Sequence, residues 1–573
     1  MGLSQHGYLV VVYSLSITVL VSFFVYAMVL GYLLRRRNDT VEAFLTARGQ
    51  MSLWRVAWSF YAAAVGAWAI TTPPAYATTT GLLGCIMYAL SSGFPPIMIS
   101  YLGTAIQRKV PHVLSLTDYV GWRFGCVGRC LAMGILLFNM SVFLLAEYTT
   151  VGALFGEFVG SPTYPVIIVV GVLTMVYTAY GGLHVSILTD KIQGIASAAL
   201  LSLMVIYTAA TFRHPLPKPM PCDPAHPLHF CISGRSPAGY SSVIAMPASL
   251  ICATIFSEAM WQRVWAADSR RTLRLGALLA AGCIFSVVLF TGLMGLLAAW
   301  AGLITADTNP NLYLLASLKG AMNERGMVGN WIGVLVILLM VTMNESAIDS
   351  FQNGLTAAIS STFLSKRPLM YTRLTVVAIN IPIMIVATKG FTILQLFLLG
   401  NMICCCASAP LVLGLVERLH PYYGGGSFLF APLLAFTSVS LYGSLRYVKA
   451  NPGASSSRAM RYAWFENGFE WQFFVVPLAM SIAGVALAVG FNWLALRLRL
   501  AHSRVFSLPG FVAPATHDVG ADKLDAPQTA ALDAHDLKGS PESVLDEQDL
   551  DECSFKAEAH PNEGLSSASR RAK

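Results

Sequence analysis

An all-helical protein that crosses a membrane many times is the fold class this sequence predicts, on three observations. Apolar residues fill 55% of the 573 positions and charged residues only 12%, against roughly 25% charged in soluble domains. Mean hydropathy is +0.62, so lipid must be the main solvent. The apolar residues also gather into runs of about 20 or more, the length a helix needs to span the hydrocarbon.

Thirteen runs qualify, at roughly 8–34, 53–78, 82–106, 130–155, 163–182, 188–211, 243–265, 273–303, 329–363, 371–388, 391–416, 427–448 and 471–496. The first has no small-residue cleavage site at its end and reads as a span, not a signal peptide. The net charge of +8 comes from short basic clusters between the runs, such as Arg35, Arg36 and Arg37. That is a topology signal, and no nucleic-acid partner is expected. Placing the N-terminus outside puts about two basic residues inside for each one outside, as the positive-inside rule requires. The expected location is the plasma membrane, with the C-terminus in the cytoplasm. Residues 1–499 form the transmembrane domain; 500–573 turn polar and acidic, and a disordered cytoplasmic tail is expected there.

The eleven cysteines include no CxxC pair. Cys222 and Cys231 flank His226 and His229 in a Pro-rich outer loop, which permits a disulfide or a metal clip; the oxidising outer side favours the disulfide. Cys404, Cys405 and Cys406 read as small packing residues.

Two spans look interrupted. The second holds Ala62, Ala63, Ala64, Val65, Gly66 and Ala67, then Pro73 and Pro74, and the seventh holds Pro247 and Glu258. If spans two to six and seven to eleven are two five-helix repeats, covering about 53–416, the interruptions occupy matching positions. Unwound carbonyls there can hold a bare cation at the midplane. Buried acids are the second pointer. Glu147, Glu258, Glu345 and Asp349 fall within apolar runs, at a cost of at least about 2.5 kcal/mol each on insertion scales. Thr342, Glu345, Ser346, Asp349 and Asn353 recur at helical spacing and form one polar stripe, which faces either a cavity or other helices.

An enzyme would need a clustered constellation, and the histidines are spread through loops with no HExxH. A transporter-like sensor would carry a folded output domain, and a channel has no need of paired broken helices. These features leave a secondary transporter of a small polar solute.

The run Tyr177-Thr178-Ala179-Tyr180-Gly181-Gly182-Leu183, with Thr189-Asp190-Lys191-Ile192-Gln193 after it, resembles the signature of the sodium:solute symporter family. Gln262-Arg263-Val264-Trp265-Ala266-Ala267, then Ser269 and Arg270, resembles a second hallmark of that family. The resemblance covers about 8–496. It implies a ten-helix inverted-repeat core like that of the bacterial leucine transporter, with no cofactor beyond a coupling ion. A sodium ion would sit between carbonyls of Ala62 and Val65 and oxygens of Leu339, Thr342 and Met343. The family usually has two adjacent hydroxyls where this chain has Thr342 and Met343, and a thioether is a poor ligand for a hard cation. A proton on Glu345 or Glu258 is therefore the alternative coupling ion. Trp68-Ala69 resembles the urea–polyamine branch, which makes urea or a polyamine the expected solute. Trp68, Glu147, Thr254, Glu258 and Glu345 are the candidates for solute contact or coupling. The resemblance places Asp190 just inside the inner face, for gating or cation release, with an ion pair to Lys191 or a neighbouring arginine as the alternative.

Overall fold

The computed structural model describes residues 5–498 apart from 35–39, 112, 223–230, 306, 320–330, 365–366, 391–392, 454 and 468–469. The Arg35–Arg37 cluster, His226, His229 and the segment from 500 onward lie outside the described residues. Among the described residues sixteen α-helices follow in order: α1 Gln5–Leu33, α2 Val41–Thr46, α3 Leu53–Ala64, α4 Trp68–Lys109, α5 Leu116–Leu154, α6 Thr163–Thr211, α7 Pro237–Ile255 and α8 Glu258–Ala266. Then come α9 Arg270–Trp300, α10 Tyr313–Ala316, α11 Trp331–Ile359, α12 Leu369–Ala387, α13 Ile393–Leu413, α14 Gly425–Ala450, α15 Ser456–Phe465 and α16 Gln472–Arg497.

Local chemistry starts several of these helices. Ser236 accepts the Gly239 N–H at 3.1 Å, with Pro237 in the first turn of α7. Ser269, the serine of the second motif, accepts the Thr272 N–H at 3.2 Å and opens α9. At α5 the Asp118 carboxylate reaches back to the Ser115 N–H at 3.0 Å, a capping box. That cap starts a short helical segment at Leu116, which breaks at Gly125 (φ 76°) just before the apolar run expected from 130.

Among the described residues, eleven helices are long and apolar enough to cross a membrane. Two of them hold two crossings each: α4 has 42 residues and α6 has 49, or about 63 and 74 Å at 1.5 Å per residue. Each breaks at one glycine with positive φ, Gly81 at 69° and Gly182 at 62°. At Gly81 the chain doubles back. The Tyr76 and Tyr88 ring centroids lie 5.5 Å apart, where a straight helix would separate those residues by about 18 Å. Counting both sides of each break gives the thirteen expected spans. The expected loops at 79–81 and 183–187 shrink to single residues, and the sixth span begins at Leu183, not 188.

The loop between α6 and α7 is stapled by the Cys222–Cys231 disulfide. It fastens onto the Gly81 turn: the Leu82 N–H donates to Ile232 O at 2.9 Å. A Cβ on Gly81 would lie 2.2 Å from Cys231 O, so this turn admits only glycine. Helix α11 is buried along most of its length and forms the centre, while α1 and α12 expose most of theirs at the periphery.

Candidate functional site

Two spans are unwound. The first opens between α3 and α4, at Val65, Gly66 and Ala67; Val65 is extended, with φ −114° and ψ 100°. Pro73 and Pro74 lie inside α4, beyond the break. The second opens between α7 and α8 at Phe256 and Ser257. It does not fall at Pro247, which stays within α7, because neighbouring helices tolerate proline in a membrane helix.

Unwinding frees backbone groups of opposite kind at the two breaks, and α5 satisfies both. At the first, the freed N–H of Ala67 donates to Glu147 Oε2 at 3.0 Å. At the second, the freed carbonyl of Phe256 and that of Ala253, which also takes the Phe256 N–H, accept from Asn139 Nδ2 at 3.2 and 3.0 Å. A carboxylate meets the donor and an amide N–H meets the acceptors, as buried polar groups require. Asn344 on α11 completes the first arrangement by donating to Glu147 Oε2 at 2.7 Å and to its carbonyl at 3.0 Å. Glu147 is 1% exposed, and its Oε1 has no partner among the described residues. A Cβ on Gly66 would lie 2.0 Å from that oxygen, so the carboxylate occupies the space a side chain would need.

Ala62 and Val65 are buried beside this break, and Leu339, Thr342 and Met343 are buried on α11. The Thr342 hydroxyl donates to Leu338 O at 2.8 Å, which leaves its oxygen lone pairs for a cation. Asn344, next after Met343, ties this stretch of α11 to the break through Glu147.

Between the breaks lies a cavity whose walls include Trp68, Phe143, Glu147, Thr254, Ser257 and Phe397. Trp68 stacks on Tyr88 at 6.0 Å and meets Phe397 edge-on at 6.3 Å. Of the residues expected to contact solute, Trp68, Glu147 and Thr254 reach this cavity. Glu258 and Glu345 do not line it. Glu258 caps α5 instead, accepting the Leu116 N–H at 2.9 Å. Glu345 is fully buried beside Asp349 and Gln193. The polar stripe of α11 faces α6 and α8: Thr178 donates to Asp349 Oδ1 at 2.6 Å, and Gln262 donates to Asn353 O at 3.4 Å. Asn139, Asn344 and Phe397 carried no sequence signal, because an isolated amide or aromatic in an apolar run is ordinary membrane-helix composition.

Asp190 is neither a loop residue nor paired with Lys191. It lies within α6, 0% exposed, and accepts from Arg263 Nη2 at 3.0 Å, Ser59 Oγ at 2.7 Å and Ser346 Oγ at 2.9 Å. Arg263 spends its other donors on Ser59 Oγ at 2.9 Å, Ala259 O at 2.8 Å and Ser350 Oγ at 2.7 Å. The two sequence motifs thus meet in one buried ion pair, which ties α3 and α8 to α6 and α11. A satisfied pair of this kind fixes geometry strongly and is costly to break from one side.

The sodium:solute symporter family model matches residues 44–365. The spermidine transporter DUR31 of Candida albicans is 25% identical over 83% of this chain and 88% of its own length. The sodium/sialic acid symporter NanT of Aliivibrio fischeri is 28% identical over 31% of this chain and 35% of its own. The Homo sapiens sodium/myo-inositol cotransporter 2 is 26% identical over 31% and 26%, so the chain spans about a third or less of these last two. Among solved structures, a substrate-bound, outward-open sodium-coupled sialic acid symporter superposes with TM-score 0.62 at 19% identity, over 83% of this chain and 97% of that one. The nucleobase-cation-symport-1 family transporter Mhp1, closed with bromovinylhydantoin bound, gives TM-score 0.52 at 13% identity over 82% and 98%. They show a shared leucine-transporter fold, and these relatives are transporters, not enzymes. The family match contains both breaks, Glu147 and the Asp190–Arg263 pair and covers more than half of the sequence: this chain belongs to the sodium:solute symporter family and is a cation-coupled symporter of a small solute.

Proposed function

We propose that the solute is a polyamine-type organic cation, imported across the plasma membrane and held between the broken helices with Glu147 as its counter-charge. The carrying observation is the unpartnered Oε1 of a buried carboxylate in a cavity walled by aromatic rings. An ionised acid at that depth is costly unless something compensates it. A primary ammonium does so: it donates to Oε1 while its flanking methylenes lie on Trp68 and Phe397, where ring faces add about 0.5–2 kcal/mol of cation–π attraction. The similarity to a spermidine transporter supports the same class; neutral urea leaves the carboxylate uncompensated.

We further propose a proton as the coupling ion. The set Ala62, Val65, Leu339, Thr342 and Met343 offers carbonyls, one hydroxyl and a thioether, a poor cage for a hard cation. Glu345 and Glu258 are the carriers proposed. Both termini follow the charge count, the N-terminus outside and residues 500–573 as a cytoplasmic tail.

The test is uptake into proteoliposomes of labelled spermidine, putrescine, urea and proline, with sodium and proton gradients imposed separately. Spermidine should accumulate without sodium when the outside is acidic, and Glu147→Gln should reduce uptake at least tenfold. Accumulation of urea or proline, with no amine transported or competing, overturns the polyamine reading. Strict sodium dependence assigns the five-residue set to sodium.

A further inference from the structure

A second buried acceptor belongs to a residue in the wall of the same cavity. Asn401 on α13 is 2% exposed and lines the cavity wall. Its Nδ2 donates to Ser249 Oγ at 2.6 Å, and its Oδ1 has no partner among the described residues. A buried acceptor left unpaired is destabilising, and a solute that brings a donor to it removes that penalty.

Its position relative to Glu147 follows from how α13 lies on α5. Phe397 meets Phe143 with ring centroids 5.5 Å apart, and one turn along α13 a Cβ on Gly400 would lie 3.2 Å from Asn139 Oδ1. Advancing along α13 therefore means retreating along α5. Glu147 lies one turn beyond Phe143 in the opposite sense. The two acceptors flank the Phe143–Phe397 contact, on the order of 10 Å apart at 1.5 Å per residue. Apolar surface, including Trp68, Phe351 and Phe397, lines the cavity with them.

We infer that Asn401 is a specificity-determining residue: its Oδ1 accepts an N–H from a second amino group of the solute, so the site selects linear amines with two or more nitrogens on a methylene chain over monoamines. The inference rests on Glu147 receiving the first ammonium. A compact sugar-like solute cannot place donors about 10 Å apart at both ends of this apolar gap, whereas an extended aliphatic chain can.

The experiment measures KM for labelled spermidine and for labelled butylamine in proteoliposomes holding wild type, Asn401→Leu or Asn401→Asp, normalised to reconstituted protein. Asn401→Leu should raise the spermidine KM about tenfold or more and leave the butylamine KM within about twofold. The near-isosteric Asn401→Asp should lower the spermidine KM and leave butylamine unchanged; it keeps the test decisive if the leucine variant does not fold. Equal losses for both amines in Asn401→Leu, or a spermidine KM unchanged or raised in Asn401→Asp, overturn the role of Asn401 alone. Wild type that takes up neither amine overturns the Glu147 reading and this one with it.

Discussion

Replacing Arg263 by Gln, Asp190 by Asn, and then both, tests whether the buried pair works as a unit. Both side chains are fully buried, so solvent screening is absent. In Arg263→Gln the Asp190 carboxylate keeps only the hydroxyls of Ser59 and Ser346, and removing one partner of a buried pair typically costs about 3–5 kcal/mol. In Asp190→Asn the guanidinium keeps Ser59, Ser350 and Ala259 O but loses its counter-charge, at a cost of the same order. The double variant buries no net charge, so its loss should fall short of the sum of the single losses by about 2 kcal/mol, within the range for residues in one network. That amount corresponds to about a thirtyfold change in the balance between two conformations. Because the pair ties α3 and α8 to α6 and α11 and does not line the cavity, the change should fall on kcat, with KM for spermidine within about threefold. Denaturant unfolding in detergent gives the stability cycle, and proteoliposome uptake gives the kinetic split. Additive single losses within about 0.5 kcal/mol, or a raised KM with kcat intact, would refute the reasoning.

Two further perturbations follow from other contacts. Gly66→Ala puts a methyl 2.0 Å from Glu147 Oε1; the carboxylate must leave the break, and spermidine uptake should fall at least tenfold with surface expression near normal. Wild-type uptake in that variant counts against Glu147 as the anchor. The disulfide loop should resist a membrane-impermeant maleimide on intact cells at Cys222 and Cys231 until a reductant is added. Labelling that requires permeabilisation places the loop on the inner side and reverses the topology.

The spans were legible because lipid demands long apolar runs, and Glu147 because a lone acid in such a run has no cheap explanation. The first break was legible from its small residues, since Gly66 has no side chain to oppose the carboxylate. For the second, Pro247 and Glu258 mark the span, and the unwinding falls beside Glu258, at Phe256 and Ser257, because neighbouring helices tolerate the proline. Asp190 was assigned to the inner boundary because sequence spacing carries no record of Arg263, which meets it only once α6 and α8 are packed. Asn401 and Asn139 were unreadable for a related reason: what sets them apart is where each amide oxygen and nitrogen points, and composition does not encode that.

Helix α5 holds both breaks at once, with Glu147 on one and Asn139 on the other, about 12 Å apart by helical rise. It acts as a common ruler for the two unwound segments. Sliding or rotating α5 would detach both registrations together, so the breaks cannot be re-tuned one at a time from this helix. Redesign for a longer or shorter solute therefore has to work on the facing walls, on α4 and α13, and leave the ruler untouched.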